Sequence, residues 1–146
     1  KSNKFKELEK FLAFWPVDVP LAVEFRDESW FENNVFNEVQ DLLKQYGVTP
    51  VITDTPGRRD VVHFKITNDQ LFVRYVGDFA HPSDLYRTAN WVNRIGELCE
   101  MGVNKVWFYV HQPGENRERI LGFFNNMIPQ VNQTLSLGIP LLKNYS

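Results

Sequence analysis

Cysteine is nearly missing: Cys99 is the only one in 146 residues. No internal disulfide can form, which excludes the stapled class of small secreted domains and favours a reducing compartment, so the expected location is the cytoplasm. Cys99 falls at an apolar position of a predicted helix and reads as a small buried hydrophobe rather than a nucleophile. Long apolar runs are missing too. Nothing approaches the roughly twenty residues that span a bilayer as a helix, and no signal-peptide pattern precedes the first helical stripe. Nor is there an excess of charge. Sixteen basic against eighteen acidic residues leave a formal −2, without the overall positive field of a general nucleic-acid binder. The spacing of a zinc site, a phosphate-binding glycine loop and a nucleophile elbow are all absent. No metal is assigned, and the cofactor stays unknown.

What is present is apolar material. The chain is 43% hydrophobic and 14% aromatic, enough for one globular domain over residues 1–146. Phe5, Leu8, Phe11, Leu12 and Trp15 recur at helical spacing until Pro16 stops them. A strand is expected at 20–26. A second helical stripe, Val35, Phe36, Val39, Leu42, Leu43 and Tyr46, closes at Gly47, and the strand VTPVITD follows. After the loop TPGRR, the runs VVHFKI and QLFVRYVG flank the turn-forming pair Asn68 and Asp69 and are expected to form a hairpin. Pro82 and Ser83 start a helix with Leu85, Ala89, Val92, Ile95, Leu98 and Cys99 on its buried face and Gly102 at its end. The strand KVWFYVHQ comes next. A last helix carries Ile120, Leu121, Phe124, Met127, Ile128 and Val131, and GIPLLKNYS is expected to add a short extended piece. Alternating strands and helices predict βα units and a largely parallel sheet, with no internal repeat or linker.

The strand ends hold the chemistry. In LAVEFR, period-2 alternation puts Ala22, Glu24 and Arg26 on one face and Leu21, Val23 and Phe25 on the other. Asp54 ends the second strand, Arg74 opposes Leu71, Val73 and Tyr75 in the third, and His111 ends KVWFYVH. Glu24, Arg26, Asp54, Arg74 and His111 are thus expected on the concave side at the C-terminal ends of strands, where α/β proteins build their sites. Taken singly, each has a bland reading as half of a salt bridge. As a set, several unlike ionisable groups at one end are costly to desolvate and point to function. Arg58 and Arg59 beside Gly57 read either as a forked clamp for phosphate or carboxylate, or as a solvated turn. His63 and His81 carry weaker cases. Trp30 and Phe31 read as a packed loop.

EFRDESWF, the helix to Gly47, VITDTPGRRD, FVRYVG, DLYRTANWVNRI and VWFYVHQP together resemble, in order, the YecE-like family, also named domain of unknown function 72. The resemblance implies a TIM-barrel-like fold of (βα) repeats related to sugar isomerases, and no established activity. It maps the family's Glu-Phe-Arg and Ser-Trp onto Glu24, Phe25, Arg26, Ser29 and Trp30, and its strand arginine onto Arg74. Where many members have Phe-Asn-Asn near the last strands, this chain has Val110, His111 and Gln112. The family's opening segment has no counterpart, so the chain is expected to be about half a barrel, the C-terminal half of a longer polypeptide. A complete barrel takes about 250 residues. Half a barrel leaves two sheet edges to be covered by the remaining half, by self-association or by a partner.

The leading reading is an enzyme-like barrel, of isomerase or hydrolase type, whose mouth binds a small anionic metabolite, sugar-like or phosphorylated. Arg26, Arg58, Arg59, Arg74 and Gln112 would bind it, and Glu24, Asp54 or His111 would move protons. A divalent metal between Glu24 and Asp54 is a variant of this reading that the spacing does not support. The rivals are a non-catalytic module for nucleic acid or another polyanion, and a structural, partner-dependent domain.

Overall fold

Helices turn directly into strands in this chain, and two glycines make the turns. A computed structural model describes residues 3–57, 65–78, 81–114 and 117–143. The elements run α1 (Asn3–Phe14), β1 (Ala22–Val23), a 3₁₀ turn (Glu28–Phe31), α2 (Asn33–Gln45), β2 (Thr49–Asp54), β3 (Gln70–Val76), α3 (Ser83–Glu100), β4 (Lys105–His111) and α4 (Arg117–Leu135). At the end of α2, Gly47 takes φ 64°, Gly47 N–H donates to Lys44 O at 3.2 Å and Val48 N–H to Leu43 O at 2.9 Å. This is the Schellman closure, which satisfies the last carbonyls and needs a residue free of Cβ strain. Gly102 repeats it after α3, with Val103 N–H on Leu98 O at 3.0 Å. Each closure places a buried valine just ahead of the following strand, Val48 next to β2 and Val103 one residue short of β4.

The four strands lie side by side in the order β1-β2-β3-β4, all parallel. This is the expected α/β architecture of TIM-barrel-like (βα) repeats, and four parallel strands are half the number in a complete barrel. Register pairs Thr53 with Arg74 and Arg74 with Tyr109, then Asp54 with Tyr75 and Tyr75 with Val110. Paired residues share a face, so the sheet has two distinct surfaces. Ile52, Leu71, Val73 and Tyr75 form the core with Trp91, Val92 and Ile95 of α3 and Met127 of α4. Leu71 and Val73 are fully buried, and each contributes about 1.5–3 kcal/mol through its burial. Val51, Thr53, Phe72, Arg74, Val76, Trp107, Tyr109 and His111 line the other face by alternation.

Three expectations change. β1 is two residues long, so Glu24 and Arg26 leave the regular strand, although their contacts remain together. β3 is not available to the expected hairpin: it has β2 on one side and β4 on the other, both parallel, which leaves it no free edge. Residues 58–64 lie outside the described residues. Asn68 instead fastens the return of the crossover to the start of β2, donating to Gly47 O at 2.8 Å and Thr49 Oγ1 at 2.9 Å and accepting from Gln70 N–H at 2.9 Å. Third, the buried face of α3 is rotated at its first turns. Asp84, Thr88 and Trp91 go inward while Leu85 is 60% exposed, because Asp84 has hydrogen-bonding work beneath the helix. The described part of the tail, to residue 143, forms no strand. It is held along α4 by two asparagines, Asn132 exchanging hydrogen bonds with the backbone of Ile139 and Asn125 with that of Leu142, all at 2.8–3.1 Å. Among the described residues no helix is long and apolar enough to cross a membrane.

Candidate functional site

The site begins with a carboxylate that two arginines share. Glu24 Oε1 accepts Arg74 Nη2 at 2.9 Å, Arg74 Nε at 3.1 Å, Thr53 Oγ1 at 3.2 Å and Arg26 Nε at 3.3 Å, and Oε2 faces Arg26 Nη2 at 3.4 Å. Partial burial pushes the Glu24 carboxyl up, but the hydrogen bonds and charges of Arg26 and Arg74 outweigh it and hold the group below its usual value. It is an anion at neutral pH and orients both guanidiniums. Side-chain exposure grades the trio: 20% for Glu24, 34% for Arg74 and 77% for Arg26. Arg74 uses its Nε and Nη2 on Glu24, and its Nη1 has no hydrogen-bond partner among the described residues.

The loop after β1 is fixed from below. Asp27 accepts Ser29 N–H at 3.0 Å, capping the 3₁₀ turn, and Lys4 Nζ of α1 at 3.0 Å. With Ser29 Oγ–H and Lys4 also donating, its carboxyl falls to about 2. Phe25 is buried and packs against Trp30 with centroids 5.2 Å apart, so this segment is a packed loop. These contacts set where Arg26 leaves the chain.

Layers follow from the register on this open face. Thr53, Arg74 and Tyr109 stand in one row, Phe72 and Trp107 in the row nearer the N-terminal ends, and Val76 and His111 in the row nearer the C-terminal ends. Phe72 and Tyr109 stack at 5.0 Å with 11° between planes. Trp107 Nε1 donates to Gln70 Oε1 at 3.1 Å. His111 is exposed, and its backbone carbonyl accepts Gly77 N–H at 2.8 Å. Gln112, 2% exposed, presses its amide against Gly77, and its Oε1 is buried without a hydrogen bond.

Asp54 does not join them. It pairs in register with Tyr75, on the helix-facing side of the sheet. There Oδ1 accepts Arg87 Nη2 at 2.8 Å and Nε at 3.2 Å, and Oδ2 accepts Trp91 Nε1 at 2.7 Å. Arg87 also donates to Asp54 O, Val76 O and Asp84 Oδ1, at 2.9–3.0 Å, and lies over the Tyr75 ring at 4.2 Å. Asp84 accepts Asp78 N–H and Tyr75 Oη–H. Burial raises the Tyr75 hydroxyl far above its ordinary value, with the Asp84 charge adding to the effect, so it stays a neutral donor. The expected convergence of Asp54 with Glu24 on the concave side is therefore corrected, and so is the idea of one metal between them: their carboxylates lie on opposite faces. Sequence reading passed over Arg87, Asp84 and Trp91. The signal was Asp84 and Arg87 at i, i+3 on a helix otherwise read by its apolar positions.

A cleft of about 870 Å³ opens beside this second cluster, lined by Asp54, Arg87, Asn90, Trp91, Arg94 and Glu97 among others. Size alone would make it the site. Its floor argues otherwise, because Asp54 and Arg87 satisfy one another and the ends of β2 and β3. Among the described residues no three His, Cys, Asp or Glu side chains are grouped to hold a metal. Arg58 and Arg59 lie outside the described residues. His81 accepts Ser83 N–H on Nδ1 at 3.2 Å at the start of α3, and Cys99 is free and half-buried against the core.

Residues 1–133 match the family model described as protein of unknown function DUF72. The chain is similar to a solved DUF72 family protein from Enterococcus faecalis V583, with a TM-score of 0.67 and 19% identity over 94% of this chain and 57% of that one. A DUF72 family protein from Thermotoga maritima MSB8 is similar at a TM-score of 0.57 and 21% identity, over 94% and 54%. The chain thus spans little more than half the length of these solved relatives. No curated protein matches. The chain belongs to the DUF72 family, whose function is unknown.

Proposed function

We propose that the open face of the sheet is the substrate face of an enzyme-like barrel and binds a small anionic metabolite, phosphorylated or acidic. The observation that carries this reading is the Arg74 guanidinium, locked by Glu24 through Nε and Nη2 while two-thirds buried. A structural ion pair needs no such pre-set fork, whereas anion recognition gains from one, since a rigid donor pair loses little freedom on binding. Arg26 adds positive charge at the rim. His111, one row nearer the strand ends on the same face, is the group placed to move a proton, in an isomerisation or hydrolysis. Glu24 acts as the orienting carboxylate. Asp54 serves the architecture on the opposite face. The half-buried, unpaired Cys99 suits the reducing cytoplasm.

Calorimetric titration with inorganic phosphate tests this. Saturable binding is expected, weakened about tenfold or more by Arg74→Lys, which keeps the charge and loses the fork. Arg74→Met should weaken it further and leave the melting temperature nearly unchanged. If Arg74→Met unfolds the protein while the surviving folded fraction binds phosphate normally, the arginine is architectural. Binding of heparin or single-stranded DNA with a steep salt dependence, and none of phosphate, would favour a polyanion module instead.

A further inference from the structure

Tyr109 is the unexplained neighbour of Arg74. The two pair in register across β3 and β4, so their side chains stand side by side on one face. Tyr109 is 52% exposed, yet it is not loose: one face of its ring lies flat on Phe72 at 5.0 Å and 11°. Half of the residue is exposed, and among the described residues its other face meets no stacked ring. An aromatic plane fixed by stacking thus adjoins a guanidinium fixed by a carboxylate, and among the described residues the Glu24 Oε2 has a single long contact, Arg26 Nη2 at 3.4 Å.

Resting on the anion reading above, we infer that Tyr109 and Arg74 together select a cyclic sugar phosphate. The phosphate would take the remaining Arg74 donors, the C–H face of the sugar ring would lie on the unstacked face of Tyr109, and a ring hydroxyl would donate to Glu24 Oε2. Small-molecule sites are mostly aromatic and apolar surface with a few converging polar groups, which is the composition of this face. Inorganic phosphate uses the arginine alone. A sugar ring uses all three groups, its hydroxyl donating to a Glu24 Oε2 whose contact with Arg26 is long.

The test is a titration of the wild type, Tyr109→Leu and Tyr109→Phe with inorganic phosphate, a hexose 6-phosphate and a nucleoside monophosphate. The wild type should bind the hexose phosphate about tenfold tighter than phosphate; Tyr109→Leu should lose that margin with phosphate affinity unchanged, and Tyr109→Phe should keep most of it. An unchanged margin in folded Tyr109→Leu, or no margin in the wild type, overturns the inference, as does preference for the nucleoside monophosphate. Should Tyr109→Leu not fold, saturation-transfer NMR on the wild type decides. Irradiating aromatic protons should mark the sugar's ring C–H protons, and no transfer to them overturns the role of Tyr109. If the wild type binds no phosphate at all, the anion reading itself falls, which is a different result from binding without a margin.

Discussion

Thr53 and Asp54 are consecutive in β2 and serve opposite faces of the sheet: Thr53 Oγ1 donates to Glu24 Oε1 at 3.2 Å, while Asp54 Oδ2 accepts the Trp91 indole N–H at 2.7 Å. A single peptide unit therefore joins two charged clusters. The first, Glu24 with Arg26 and Arg74, faces the open side. The second, Asp54 with Arg87 and Asp84, sits under α3 and ties that helix to the ends of β2 and β3.

Asp54→Ala should lower stability by about 3 kcal/mol, because it leaves the largely buried Arg87 guanidinium with one carboxylate instead of two and strips the Trp91 N–H of its acceptor. Urea unfolding measures the loss. Phosphate affinity of the folded fraction should change little. A variant of normal stability that no longer binds would place Asp54 in the ligand site after all.

Acid should act on both loop carboxylates. Glu24 has its folded pKa held below 4.5, so its stabilising contribution is complete above 4.5 and is lost as pH falls through the lower, folded value. Asp27 drops from 3.8 to about 2, so its contribution disappears between those two values. Urea midpoints followed down from neutral pH should show the decline. Glu24→Gln should remove the part of the decline that sets in below 4.5 and Asp27→Asn the part between 3.8 and about 2, and a decline unchanged in either variant would contradict the assignment.

Gly77→Ala should destabilise by about 1–3 kcal/mol, since a Cβ there would strike the amide of the buried Gln112 and force that side chain to repack. The pair is testable as a cycle. Gln112→Ala in the Gly77→Ala background should recover much of the loss, giving a coupling that independent sites would not show. Additive effects would mean that the backbone relaxes around the new methyl group.

Element order was legible because each helix announces itself with an apolar stripe and the first three with an end signal: Pro16, Gly47 and Gly102 all stop helices where the sequence says they should. The alternation around Arg74 and Leu71–Tyr75 also reads directly as two faces. Asp54 was misplaced because strand-end position says nothing about face. That requires the register with Tyr75, a long-range fact. The α3 face was misread for a related reason: periodicity counts apolar residues, and Asp84 and Thr88 are buried through hydrogen bonds instead. The hairpin expectation failed on topology, since Asn68 closes a crossover and not a turn between neighbouring strands.

The last prediction concerns the edges. β1 and β4 end the sheet among the described residues, and β4 shows Val106, Trp107 and Tyr109 at 37%, 46% and 52% exposure. Behind β4 an apolar groove of about 750 Å³ runs between α3, α4 and the tail, with Phe108, Phe124, Ile128 and Leu142 among its walls. Unpaired backbone next to apolar surface is a template for pairing with another strand. Residues 1–146 expressed alone should therefore self-associate in light scattering and bind a hydrophobic dye. Val106→Lys places a charge on the β4 edge, beside the groove and away from the Arg74 row, and should reduce both signals without lowering the melting temperature by more than a few degrees. A wild-type monomer with no excess dye binding would mean that this edge needs no cover.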